Sequence, residues 1–470
     1  MFSSSTYQNR RNQLKNEVSH GVIVLLGNIE NPINFEHNTY PFRQDSSFLY
    51  YFGIQAPFIA GIIDIDENRE IIFGDELDMD ALVWTGRQET LKDKSLKAGV
   101  SETMPFKELE NYLQKAKFNN RPIHFLPPYQ SYNKILLSRL LDRHLDELLP
   151  SEKLIKAVVK QRSIKEPQEI EQIEEALRVS TEMHLLAMKI AKPGMKEYEL
   201  VNAIQKYAAD QNFTFAYPPI VTVHGEILHN QYRENSFKNG DLVLNDSGAE
   251  TPMGYAGDLT RTFPVSATFT ERQKDLYNVV LKSFTDARDM MRPGVKFKDI
   301  HLKAAKSLVE GLTAVGLMKG NAEDAVANHA HTMFFQCGLG HMMGLDVHDM
   351  EDLGEQYVGY TEAEPKDKNT FGLKSLRLGK ELEAGFVLTV EPGIYIIPDL
   401  IDMWKAEKRN HEFINYDLLE DYRNFSGIRI EDNFLIEENG YRLLGPDLVK
   451  TVEEIEEIRK QSLNEGPIKN

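Results

Sequence analysis

The run "NDSGAETPMGYAGDLTRTF" (residues 245–263) reads as the tip of a β-hairpin, entered through the apolar pattern "DLVLND" (241–246) and left through "DLTRTF" (258–263). It places Asp246 and Asp258 twelve residues apart among small and apolar neighbours. An antiparallel hairpin can set both carboxylates side by side on one buried face. At about 4 Å and an effective dielectric of about 20, two ionised carboxylates repel by about 4 kcal/mol. A shared proton, an arginine or a metal has to offset that. Arg261 is near in sequence, but at an odd offset from Asp258 it is expected on the opposite face of the strand. Taken alone, the pair fits a metal site or, equally, a turn aspartate followed by an exposed one.

Two further acids lie downstream. Glu391 closes the apolar run "FVLTV" ahead of Pro-Gly, and Glu431 closes "GIRI"; a charge at the end of a buried strand is costly without a partner. His341 stands in "CGLGHMMGLDVHD" (337–349), where glycines let backbone and imidazole approach a small site closely, with His348 seven residues on. A histidine in an apolar segment is, by itself, more commonly a hydrogen-bonded core residue. Gly338, Gly340 and Gly344 miss the spacing of a dinucleotide loop. Together, Asp246, Asp258, Glu391, Glu431 and His341 form an oxygen-rich set whose four negative charges match two divalent cations. Oxygen donors favour Mn²⁺, and the imidazole admits Co²⁺ or Zn²⁺. Such a pair generates a bridging hydroxide and polarises a carbonyl, so the expected chemistry is metal-assisted hydrolysis.

The remainder of the chain frames that site. Residues 1 to about 160 alternate short apolar strands ("GVIVLLG", "AGIIDID", "REIIFG", "PIHFLP") with helical patterns such as "PFKELENYLQKAK" and "KILLSRLLDRHLDELL", the signature of an α/β domain. A second domain, 161–470, is expected to begin near "KQRSIKEP", with Pro167 in a first helical turn. Inside it, "AKPGMKEYEL" (191–200) and "MRPGVKFKDI" (291–300) echo each other. They are either two similar helix ends or the two copies of a duplicated α+β half. Residues 353–380 are polar and aperiodic, as in a long loop. With 470 residues, 41% of them hydrophobic, the chain can bury a large core. Its longest early apolar run, "GVIVLLG", falls far short of the roughly 20 residues of a spanning helix, so no membrane is expected. A net charge of −18 disfavours nucleic acid, and a single cysteine, Cys337, excludes an intrachain disulfide and fits a cytoplasmic setting.

At these residues the sequence resembles the aminopeptidase P and prolidase group of pita-bread metallopeptidases. "YPFRQDSSFLYYFG" resembles the group's N-terminal domain, and "YAGDLTRTF", "GHMMGLDVHD", "VEPGIY" and "GIRIED" follow in its order, over nearly the whole chain. The resemblance implies an α/β N-terminal domain and a pita-bread α+β catalytic domain with internal pseudo-duplication. It implies that Asp246 is a terminal ligand of one metal, that His341 and Glu391 are ligands of the other, and that Asp258 and Glu431 bridge both. Glu391 would also take the proton of the attacking hydroxide, His229 and His348 would steady the gem-diolate, and Arg429 would orient the ligands. The implied activity is that of an Xaa-Pro aminopeptidase acting on peptides with proline second; a dipeptide-restricted prolidase is the alternative, and a non-catalytic binding protein a further one. Cys337 stands where the group usually has a histidine beside the proline pocket; it either lines that pocket or is a small buried hydrophobe. "VWTGRQE" (83–89) resembles a segment that reaches a neighbouring subunit in homodimers or homotetramers; otherwise Trp84 packs on its own domain.

Overall fold

The computed structural model describes residues 1–464. Two compact units are present: Met1–Arg162 together with Met350–Tyr357, and Ser163–Asp349 together with the chain from Val358 onward. The return of residues 350–357 to the first unit leaves no mark in local sequence patterning.

In the first unit the apolar runs form one mixed sheet. β1 (Val22–Leu26) pairs antiparallel with β2 (Ala60–Asp64), and β2 with β3 (Arg69–Phe73). β4 (Glu102–Met104) extends the sheet beside β3, and β5 (Ile123–His124) beside β1, both in parallel. Strand alternation sends Val22, Val24, Ile62, Ile71 and Phe73 to one face, where Leu109, Leu113, Leu137 and Leu140 from two helices complete a core. The second of those helices, Ser131–Leu141, stops before the end of its helical pattern. Asp142 adopts a left-handed conformation (φ 48°), which aspartate tolerates, and only a 3-10 turn, Leu145–Glu147, follows. Trp84 sits in the short helix Met79–Thr85 with 87% of its surface exposed, which corrects the reading that packs it on its own domain.

In the second unit the Pro-Gly echo is a structural repeat. α1 (Pro167–Ile190) turns through Gly194 into α2 (Glu197–Asp210), and α3 (Glu271–Arg288) turns through Gly294 into α4 (Phe297–Ala314). Both glycines hold left-handed φ values, 87° and 82°, that a side chain would strain. Each turn is clamped the same way. Gly194 donates to the Phe237 carbonyl and Phe237 donates back to Met195 (both 2.8 Å), while Gly294 donates to Leu382 and Leu382 back to Val295 (both 2.9 Å). Duplicated halves therefore account for the echo where helix ends alone do not.

Each half ends in an antiparallel sheet. In the first, β7 (Leu242–Asp246) lies between β6 (Ile220–Thr222) and β8 (Thr260–Pro264). In the second, after β9 (Val387–Val390) and β10 (Gly427–Arg429), β11 (Asp432–Glu437) lies between β9 and β12 (Gly440–Leu443). The halves join where Thr260 bridges Glu431 and the Thr262 hydroxyl bonds both the amide (3.1 Å) and the carbonyl (3.2 Å) of Arg429. No helix among the described residues is long and apolar enough to cross a membrane.

Candidate metal centre

The seam between the halves is where the acids collect. β7 ends at Asp246, which faces Thr260 of β8 in register; Asp258, two residues before Thr260, keeps the same side of the chain. Both aspartates are buried, and both contact the hydroxyl of Tyr217, at 2.7 Å for Asp246 Oδ1 and closer for Asp258 Oδ1. A phenol carries one proton, so it satisfies one of these contacts and the other needs a proton on a carboxyl. Asn433 fixes the Asp258 backbone by accepting its N–H (3.1 Å) and donating to its carbonyl. Arg261 turns away, to Asp432 at 2.6 Å and the Leu448 and Val449 carbonyls.

His341 and Glu391 arrive from the second half. The segment 339–343 runs along β9: Thr389 donates to the His341 carbonyl (3.0 Å), and Glu391 to that of Leu339 (2.8 Å). This closeness requires glycine at 340, where a Cβ would lie 2.0 Å from the Thr389 oxygen. His341 Nδ1 is 3.0 Å from the Met342 carbonyl, which can only accept, so Nδ1 carries the proton and Nε2 presents a lone pair. That lone pair faces Asp258 Oδ2 at 3.4 Å and Glu391 Oε1 at 3.6 Å. Three such groups meeting at one point need a shared proton or a cation between them.

Glu431 completes the group. Its Oε2 accepts from Thr260 at 2.8 Å, while its buried Oε1 has no hydrogen-bond partner. Donor atoms of Asp258, His341 and Glu431 all lie within 4.8 Å of one another. Burial, followed by the charge of Asp246, pushes the Asp258 carboxyl up to about 7, and burial raises Glu431 and Glu391 as well. Arg429 lies behind them, reaching Asp246, Thr260 Oγ1 (3.1 Å) and the Tyr395 hydroxyl (2.8 Å). An orphaned carboxylate oxygen, an imidazole lone pair and carboxyls whose hold on protons burial strengthens suit divalent cations, which would displace such protons.

All five expected ligands line one cavity of about 280 Å³, together with His229, His348, Cys337, Arg377 and Arg429. The His348 ring lies 4.3 Å from that of His341, centroid to centroid. His229 is exposed. Cys337 is half-buried, with Sγ 3.8 Å from the Tyr395 hydroxyl.

The profile of metallopeptidase family M24 matches residues 171–438, and that of the aminopeptidase P N-terminal domain matches residues 7–124. The chain belongs to metallopeptidase family M24. Among curated members, the Xaa-Pro aminopeptidase of Escherichia coli (strain K12) is 30% identical over 97% of each chain. The human Xaa-Pro dipeptidase is 31% identical over 93% of this chain and 88% of its own. A solved structure of aminopeptidase P from E. coli with the inhibitor Pro-Leu superposes with a TM-score of 0.80 at 29% identity, covering 98% of this chain and 99% of that one. The M24 unit is thus a pita-bread catalytic domain following a separate N-terminal domain. Sequence reasoning missed Tyr217, Tyr395 and Asn433 at this M24 centre. Tyr217, in "FAYPP", carries no periodic signal; its partners lie 29 and 41 residues away.

Proposed function

We propose that this chain is a metal-dependent Xaa-Pro aminopeptidase, with residues 161–470 as the catalytic domain. The observation that carries the reading is the convergence of the His341 Nε2 lone pair with Asp258, Glu391 and the unpartnered Glu431 oxygen on one cavity. Two divalent ions, Mn²⁺ first and Co²⁺ or Zn²⁺ otherwise, fit the donor set; Asp246 would hold one, His341 and Glu391 the other, and Asp258 and Glu431 would serve both. When bound, they supply Lewis acidity toward the peptide carbonyl and lower the pKa of water. Glu391, a largely buried acid lining the cavity, takes the proton from the attacking water and passes it to the leaving proline nitrogen. His229 and His348 donate to the oxygens of the tetrahedral gem-diolate. Arg429 holds Asp246 in orientation through its guanidinium contact. The substrate's free α-amino group sits by Asp246, which restricts cleavage to the first bond.

Comparison of an Xaa-Pro-Xaa tripeptide with an Xaa-Pro dipeptide after Mn²⁺ loading tests the reading. Preferential cleavage of the tripeptide is expected; cleavage of the dipeptide alone would make the protein a prolidase, which the 31% identity to the human dipeptidase keeps in view. Assembly as a homodimer or homotetramer belongs to the same reading. Exposed Met79 (74%), Val83 (72%) and Trp84 (87%) on one short helix support it, and sedimentation of Trp84→Ala as a smaller species is the expected result. A cytoplasmic location accords with the lone cysteine.

A further inference from the structure

The loop between His341 and His348 is tied from outside itself. Within it, Asp349 donates its N–H to the Met342 carbonyl (2.9 Å), and Gly344 donates to Asp346 (3.1 Å). The Asp349 carboxylate works in two directions. Oδ1 accepts from the Asp346 amide at 3.3 Å, and Oδ2 accepts from Lys165 Nζ at 2.9 Å, 184 residues away. Both side chains are 1% exposed. Lys165 is itself fixed, its N–H donating to the Gly385 carbonyl (2.9 Å) just ahead of β9, the strand that delivers Glu391. A Cβ on Gly344 would fall 2.8 Å from Asp349 Oδ2 and 2.9 Å from Lys165 Cε, so the loop backbone packs directly on the ion pair.

A buried ion pair is a poor source of stability, because desolvation offsets much of the attraction and an apolar pair of equal volume serves as well. What charge supplies here is direction: the carboxylate can satisfy Lys165 and the Asp346 amide together in one orientation. We propose that Lys165 and Asp349 are positioning residues that fix the His348 imidazole, one residue from Asp349, over the cavity during peptide cleavage. The proposal rests on the hydrolytic reading above. It adds to that reading a lysine outside the cavity lining.

The test uses the full-length, metal-loaded protein and whichever peptide the wild type cleaves, tripeptide or dipeptide, so that an error in substrate class is a separate result. Lys165→Met is expected to lower kcat by about tenfold or more with KM within about twofold and metal content unchanged. Lys165→Arg should recover most of the loss. In a His348→Ala background Lys165→Met should cost less than about twofold, because the lysine acts through that ring. Wild-type kcat in Lys165→Met, a loss that multiplies with that of His348→Ala, or a loss reversed by added metal would each overturn the proposal. If Lys165→Met does not accumulate folded, Asp349→Asn is measured in the same way; failure of both to fold would assign the pair to stability and overturn it too.

Discussion

Raising the pH should cost the catalytic unit more stability when metal has been removed than when it is bound. Without a cation beside it, Asp258 is held up at about 7 by burial and then by the charge of Asp246, against about 4 for an aspartate in an unfolded chain. Between those values the native chain holds a proton that the unfolded chain has released, so stability falls as the pH rises through that window. A shift of about 3 units corresponds to a total loss of about 4 kcal/mol, of which about 3 kcal/mol falls between pH 5 and 8. Glu431 and Glu391, also raised by burial, act in the same direction. For a unit of this size about 2 °C of melting temperature accompanies each kcal/mol, so Asp258 alone accounts for a drop on the order of 6 °C. Scanning calorimetry of the chelated protein, with metal removal verified by atomic absorption, reads this directly. The metal-loaded protein should show a smaller change, so the gap between the two forms widens toward pH 8. Buried His184, His301 and His331, held down to about 4, 4 and 3 by burial, act the opposite way in both forms, so the gap is the test: a gap that stays constant or narrows from pH 5 to 8 would refute the electrostatic account of the centre.

Three other outcomes are expected. Asp258→Asn or Glu431→Gln should lower hydrolysis by more than about a hundredfold and reduce bound metal, since each removes a shared ligand; near-normal activity at full metal content would end the bridging assignment. Burial pushes the Cys337 thiol up to about 12, so labelling at neutral pH should be slow, yet a bulky adduct should block cleavage with metal retained. Cys337→Ser should escape that block and Cys337→His should stay active; stoichiometric labelling with undiminished turnover would place Cys337 away from the substrate. Gly340→Ala, whose Cβ would meet the Thr389 oxygen at 2.0 Å, should destabilise the protein by about 1–3 kcal/mol and weaken metal affinity by titration calorimetry; unchanged affinity would show that the His341 segment need not lie so close to β9.

The gathering of acids at one cavity was legible because each interrupts an apolar pattern at a strand end, where an unpaired charge is costly: Asp246 after "LVLN", Glu391 after "FVLTV", Glu431 after "GIRI". The repeat was legible because Pro-Gly turns are fixed by local backbone conformation. What escaped is set by distant contacts. Tyr217 and Asn433 touch Asp258 across 41 and 175 residues, and Lys165 meets Asp349 across 184; no periodicity reports such meetings. The early stop at Asp142 escaped because helical spacing continues past a residue whose own backbone leaves the helix.

The seam at Thr260 and Glu431 has a historical consequence. Two identical copies of a helix-pair-and-sheet module, docked about a twofold axis, must offer the same side chains from both sides. Once the copies are joined in one chain that obligation lapses. Here one copy supplies two aspartates and a phenol, and the other an imidazole and two glutamates. Neither copy alone brings all four of these acids and the imidazole to the cavity, so an ion held by the proposed set would report that both modules have docked. Joined in one chain, the two halves are free to carry unlike side chains to one cavity, which a symmetric pair could not do.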